Sequence, residues 1–141
     1  MFRFRPVPLT QTFIGIKTTN KSKQLADLDR VCYEKVLEEV KKGEQVMVFV
    51  HARNATVRAA TSIRDIAASD GTLGHFQPQQ SASRGNAEKL VQKSRNKQLR
   101  DLFVDGFGIH HAGMLRQVTR LGGDYHGRCD DVKYLAKLLP P

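Results

Sequence analysis

The sequence predicts an α/β fold in which a parallel sheet is flanked by helices. The apolar run Val46–Val50 is too short for a buried helix and lacks the alternation of a half-exposed strand. It therefore predicts a strand that is covered on both faces, as in parallel sheets. Segments with strand character also alternate along the chain with segments of helical periodicity, which is typical of parallel α/β proteins. With 141 residues, 40% of them apolar, the chain suits one domain or a part of one.

The elements before this run are predicted from local composition and spacing. Residues 11–16 are rich in β-branched and aromatic side chains and predict a strand, and residues 17–24 predict a polar loop. Residues 27–42 predict an amphipathic helix with Asp27 as its N-cap. Its buried stripe is expected from the four-residue spacing of Leu28, Cys32, Val36 and Val40.

The elements after this run follow the same logic. Asn54 predicts the N-cap of a helix over 55–68, and the Gly-, Ser-, Gln- and Pro-rich residues 69–86 predict a long surface loop. A third helix is expected over 87–103 with Asn86 as its cap, followed by a short strand over 107–110. Near the end of the chain, apolar residues recur at near-helical spacing: Val132, Tyr134, Leu135, Leu138 and Leu139.

The net charge of +9 is concentrated in two segments. Residues 1–24 contain five basic residues and no acidic one, and residues 84–100 contain six basic residues and one acidic one. A basic excess of this kind favours contacts with nucleic-acid phosphates through charge attraction and counterion release. A solvated basic face that binds nothing specific is the alternative.

Several kinds of chemistry have no motif in the sequence. It contains no G-x-x-x-x-G-K-[ST] phosphate loop, no G-x-S-x-G nucleophile turn and no H-E-x-x-H metal motif. His110 and His111 are adjacent and would point to opposite faces of a strand, so we expect no metal site there. Cys32 and Cys129 lie far apart, which favours a reducing compartment over a disulfide scaffold. No apolar stretch is long enough to predict a membrane span, so no membrane partner is expected.

Two places in the predicted fold are suited to a ligand, because parallel sheets bind ligands at the carboxyl ends of their strands. His51 and Arg53 follow the strand at 46–50, and alternation along an extended segment would place both on one side. Contact with a phosphate is the functional interpretation, and surface polar residues that end a strand are the alternative. The second place is the segment from His110 to Gly113, after the strand at 107–110.

The motifs at these places resemble a known family. RFRPVPL followed by QTFIGI resembles the entry into the second RecA-like domain of DExH-box helicases of superfamily 2, in the superkiller-like branch. VMVFVHAR is similar to motif IV of these proteins, and GFGIHHAGM is similar to motif IVa. The strings VMVFVHARNATVRAA and SRNKQLRDLF resemble the first helicase cassette of the type found in activating signal cointegrator complexes. The resemblance covers residues 3–117.

The resemblance implies a partial second RecA-like domain over 1–117 and a divergent tail over 118–141. It implies that His51, Arg53, His111 and Gly113 face single-stranded nucleic acid. In the full-length helicases it implies ATP and Mg²⁺ as cofactors, partner subunits of the cointegrator complex, and roles in alkylation repair, at stalled ribosomes and in transcription coactivation. A location in the nucleus and cytosol is implied as well.

The chain departs from the family pattern after Gln117. Motifs V and VI, the phosphate loop and the acidic Mg²⁺-binding motif are absent from the sequence, although phosphoryl transfer needs them together. We therefore expect a truncated product that does not hydrolyse ATP and has no catalytic residues or cofactor of its own. The alternatives are a non-catalytic module that binds nucleic acid weakly, or a decoy that occupies subunits of the parent complex.

Overall fold

The computed structural model describes residues 7–77, 82–110 and 134–138, and for residues 82–84 and 134–138 it describes the backbone only. The mixed helix-and-strand class is confirmed. In chain order the elements are α1 (Lys21–Lys41), β1 (Val46–Val50), α2 (Arg53–Ser69), a short 3-10 helix (Leu73–His75), α3 (Ala82–Gln92), α4 (Lys97–Val104), β2 (Phe107–His110) and β3 (Tyr134–Leu138).

The three strands form one sheet in the order β1-β3-β2. β3 pairs in parallel with both neighbours, so that Val46 and Phe107 lie on either side of Tyr134. The helical spacing read in the tail is therefore wrong for this segment. As the middle strand, its backbone is hydrogen-bonded on both sides, and this pairing outweighs a weak local periodicity.

The core lies between the sheet and the helices. It contains Tyr33, Val36 and Val40 of α1, Ala60, Ile63 and Ala67 of α2, Val91 of α3, Leu99, Leu102 and Phe103 of α4, and Phe107 and Ile109 of β2. Burial of this apolar surface is the main force that holds the helices against the strands.

The first helix begins six residues earlier than predicted. Its N-cap is Asn20, whose side-chain oxygen accepts hydrogen bonds from the backbone N–H groups of Ser22 and Lys23 at 3.1 and 3.4 Å. Asp27 is not a cap and instead accepts a hydrogen bond from Thr18 Oγ1. The predicted stripe is confirmed at Cys32, Val36 and Val40, whereas Leu28 is 48% exposed.

β1 is covered on one face only. Val46, Val48 and Val50 are half-buried, whereas Met47 and Phe49 are 37% and 48% exposed. The prediction of a strand covered on both faces is therefore wrong. The described helices pack on the valine side, which leaves the alternate side chains open to solvent.

Residues 11–16 do not form the predicted strand. They have no regular secondary structure, and Phe13 is 90% exposed. Within the described part of the chain, the sheet places no strand beside this segment. Strand propensity without a hydrogen-bonding partner does not form a strand.

The segment predicted as a long surface loop contributes to the core. Phe76 is fully buried, and its ring stacks on that of Phe107 with centroids 4.9 Å apart. The single helix expected over 87–103 is divided into α3 and α4. Asn96 caps α4, because its side-chain oxygen accepts the N–H of Leu99 at 3.2 Å. Asn86 lies inside α3 and is not a cap.

Candidate nucleic-acid interface

His51 and Arg53 are both exposed at the carboxyl end of β1. The chain bends at residues 51–52, and Arg53 is the first residue of α2. Ala52 between them has extended φ and ψ angles, and the shared orientation of the two side chains stays a prediction. They are brought to the same edge of the sheet because the turn from β1 into α2 is only two residues long.

The start of α2 adds positive potential beside Arg53. Its N-cap is Ala52, which offers no side-chain oxygen, and the first turn contains no acidic residue. Helix N-termini carry partial positive charge on N–H groups that can bind anions. Asn54 was predicted to cap this helix, so the sequence interpretation missed the feature. No sequence signal marks this start, because alanine is among the least favoured N-cap residues.

The first turn of α2 is also well ordered by internal hydrogen bonds. Thr56 is fully buried, and its Oγ1 donates to the carbonyl oxygen of Arg53 at 2.6 Å. The N–H of Ala55 donates to the carbonyl of Ala52 at 3.0 Å. The backbone that carries Arg53 is therefore fixed, while its guanidinium group extends into solvent.

The other two predicted site residues, His111 and Gly113, lie outside the described residues. His110, which precedes them, is half-buried as the last residue of β2. Because β1 and β2 are both parallel to β3, His51 and His110 lie at the same edge of the sheet. With one strand between them, the two carboxyl ends are separated by about 10 Å.

The surface formed by α1 and α2 has a different electrostatic character. Arg58 donates to both carboxylate oxygens of Asp29, at 2.6 and 3.2 Å, and Ser62 donates to the same carboxylate. Hydrogen bonds from Arg30 to Asp70 and Glu34 raise the pKa of its guanidinium. The neighbouring Glu39 likewise raises the pKa of Lys42.

Cys32 is part of this helical surface and has no feature of a reactive thiol. Burial, and to a smaller extent the charge of Asp29, raises the pKa of the Cys32 thiol. A raised pKa keeps the sulfur protonated and weakly nucleophilic. Its role is packing against the core cluster, as its place on α1 predicted.

Two features are absent from the described residues. Among them, no group of three or more His, Cys, Asp and Glu side chains is arranged to hold a metal ion. In the same residues, no helix combines the length and the apolar character that crossing a membrane requires.

Comparison with known proteins identifies close relatives. The chain is 64% identical over 115 residues to activating signal cointegrator 1 complex subunit 3 of Danio rerio, and 64% identical over 119 residues to the protein of the same name in Homo sapiens. These matches cover 82% and 84% of this chain but only 8% and 5% of the relatives.

Helicases with other names match at lower identity. The U5 small nuclear ribonucleoprotein 200 kDa helicase of Homo sapiens is 42% identical over 113 residues, which is 80% of this chain and 5% of that protein. The DExH-box ATP-dependent RNA helicase DExH14 of Arabidopsis thaliana is 44% identical over 113 residues. No family model matches the chain.

These relatives agree with the motifs that the sequence carries in and after β1 and β2. The similarity covers about four fifths of this chain and a short segment of each relative. The chain therefore belongs to the family of DExH-box helicases related to activating signal cointegrator 1 complex subunit 3, which confirms the family resemblance.

Proposed function

We propose that this chain corresponds to part of the second RecA-like domain of an ATP-dependent nucleic-acid helicase, and that it binds single-stranded nucleic acid weakly without hydrolysing ATP. The observation that carries the proposal is the exposed pair His51 and Arg53 at the carboxyl end of β1, beside the uncapped start of α2. A guanidinium group, an imidazole and free helix N–H groups are all suitable partners for a phosphate.

The homology supports the choice of ligand. Relatives at 42% and 44% identity are named helicases, and one is named an RNA helicase. The exposed carboxyl end of β1 suits a nucleic-acid backbone, because ligands of parallel α/β sheets bind at the carboxyl ends of strands. His111 and Gly113 complete the proposed contact set.

In this proposal, the longer relatives hydrolyse ATP and this chain does not. The chain spans 8% or less of the length of the relatives it matches, and its 141 residues include no phosphate loop. ATP and Mg²⁺ are therefore proposed as cofactors of the full-length helicase only. From the homology we also propose partner subunits of the cointegrator complex, a location in nucleus and cytosol, and roles in DNA repair.

Fluorescence anisotropy with a labelled single-stranded oligonucleotide tests the binding. We expect the affinity of the full chain to fall steeply with salt, because phosphate contacts release counterions. Arg53→Ala should weaken binding and reduce the slope of log K against log salt by about 0.7, the value for one phosphate contact on a single strand.

Arg64→Ala is the matched control, because Arg64 lies on the same helix and is paired with Asp65 at 2.9 Å. It should leave both affinity and slope unchanged. Binding that does not respond to salt, or equal effects of the two variants, would contradict the proposal. Turnover of ATP by the purified chain would contradict its catalytic part.

A further inference from the structure

We propose that the turn joining α3 and α4 is a second phosphate-binding surface, which extends the path of a single strand beyond His51 and Arg53. The surface, here called the basic turn, consists of Lys93, Arg95 and Lys97, with Lys89 on the adjoining turn of α3. The inference rests on the proposed function, because it concerns the same kind of ligand and adds a second place of contact.

The basic turn presents exposed positive charge that no carboxylate of the described residues neutralises. All four side chains are exposed. Within the described residues, none of them forms an ion pair, whereas Arg30, Arg58 and Lys42 each contact a carboxylate. Unpaired cations that lie close together raise the local potential and attract phosphates.

The backbone of the basic turn is held in place by buried neighbours. Ser94 is buried between the exposed residues, and its N–H donates to the carbonyl of Val91 at 2.9 Å. Its hydroxyl oxygen accepts the N–H of Asn96 at 3.2 Å, and its carbonyl accepts a hydrogen bond from Arg100. The exposed cations therefore project from a preorganised turn, which reduces the entropy lost on binding.

The fold places the basic turn at the edge of the sheet that carries the first site. Only Asp105 and Gly106 separate α4 from β2, and Leu99 and Leu102 of α4 belong to the same core cluster as β2. α4 thus runs antiparallel to β2. Eight helical residues rise about 12 Å and four strand residues about 13 Å, so Lys97 lies level with His110.

This geometry favours a nucleic-acid strand over a compact anion. The cations are spread over nine residues of sequence and two helices, and they adjoin the carboxyl ends of β1 and β2. A phosphate backbone can contact such a row successively, whereas a single small anion would contact one or two members of it. The lack of a base-stacking aromatic residue among these four side chains predicts little sequence preference.

The experiment is a salt titration of oligonucleotide affinity with the full chain, in which the triple variant Lys93→Gln, Arg95→Gln, Lys97→Gln is compared with the unmodified protein. We expect a lower affinity and a slope reduced by about 2, because each lost phosphate contact on a single strand contributes about 0.7. Circular dichroism of the variant should be unchanged, since the altered side chains are exposed.

A matched control removes the same charge elsewhere. The triple variant Lys35→Gln, Lys41→Gln, Lys42→Gln alters the end of α1 that leads into the amino end of β1, at the opposite edge of the sheet. It should change the slope much less. Equal effects of the two triple variants would overturn the inference, because binding would then follow net charge alone.

The two proposals fail in different ways. If Arg53→Ala weakens binding and the basic-turn variant does not, the second surface is overturned and the proposed function stands. If the basic-turn variant weakens binding and Arg53→Ala does not, the second surface stands and the first site is wrong. If the unmodified chain binds no oligonucleotide, both proposals are overturned.

Discussion

The two pairs of helices, α1–α2 and α3–α4, bury apolar residues in the same core but differ in how their basic side chains are paired with carboxylates. Arg58 and Arg30 on the first pair contact the carboxylates of Asp29 and Asp70. On the second pair, Lys93, Arg95 and Lys97 are exposed and form no ion pair within the described residues. Arg58 and Arg30 therefore stabilise contacts within the fold, whereas the three cations of the second pair have no carboxylate partner among the described residues.

The difference shows that composition alone does not reveal where a basic protein binds. The first helix pair also contains many basic residues, but several of them, including Arg30, Arg58 and Arg64, contact neighbouring carboxylates. The proposed binding surface consists of basic residues that the fold brings together without a carboxylate partner among the described residues. Three substitutions test this comparison.

The strongest test removes the ring that connects the two helix pairs. Phe76 lies between α2 and α3 in sequence, is fully buried and stacks on Phe107 of β2. Phe76→Ala should reduce the free energy of unfolding by about 3–5 kcal/mol, because it leaves a cavity in the shared core. Urea unfolding followed by circular dichroism measures the change.

Phe13→Ala is the matched control, because Phe13 is 90% exposed and should contribute less than about 0.5 kcal/mol. If the two alanine variants lost equal stability, the loop containing Phe76 would not connect the helix pairs as described.

A medium effect is expected from the ion pair that joins α1 to α2. Asp29→Ala should lower the free energy of unfolding by about 1.5 kcal/mol. This value is at the lower end of the range for hydrogen bonds to charged groups, because Arg58 is 42% exposed and solvent screens the pair. A double-mutant cycle with Arg58→Ala measures the coupling. Glu38→Ala is the control, because Glu38 and its partner Lys35 are both 55% exposed and the pair should contribute under about 0.5 kcal/mol. A coupling near zero would mean that the paired surface has no structural role.

The smallest effect concerns the cap that fixes the basic turn. Asn96→Ala should cost about 1 kcal/mol, because the N–H of Leu99 loses its acceptor at the start of α4. Thermal unfolding measures the loss of stability, and amide hydrogen exchange should show it in the first turn of α4. Asn54→Ala is the control, since Asn54 lies inside α2 and its side chain is not the cap. Equal losses of stability in the two variants would mean that Asn54 does cap α2, as the sequence predicted.

Local patterns predicted some elements well and others poorly. The strand at 46–50 and the strand at 107–110 lie where the apolar runs placed them. The helix starts were wrong at Asp27, Asn54 and Asn86, because several polar residues near each start could act as a cap. Only the path of the chain decided that Asn20 and Asn96 cap helices.

The candidate site was predicted in part. His51 and Arg53 are exposed at a strand end as expected, but the helix that begins at Arg53 was placed two residues too late. The predictions for His111 and Gly113 fall outside the described residues. The basic segment was recognised from the sequence, because Lys89, Lys93 and Lys97 are spaced four residues apart and would share one face of a continuous helix over 87–103. The turn between α3 and α4 was not predicted.

The sequence by itself determined the class of fold, the family and the residues that carry charge. These properties depend on motifs and on local periodicity, which need no knowledge of distant contacts. Tertiary structure decided which face of β1 is covered, that Tyr134–Leu138 is the middle strand, and which of the described basic residues pair with a distant carboxylate. Each of these depends on residues far apart in the chain, since strand pairing and ion pairing are fixed only when the fold brings the partners together.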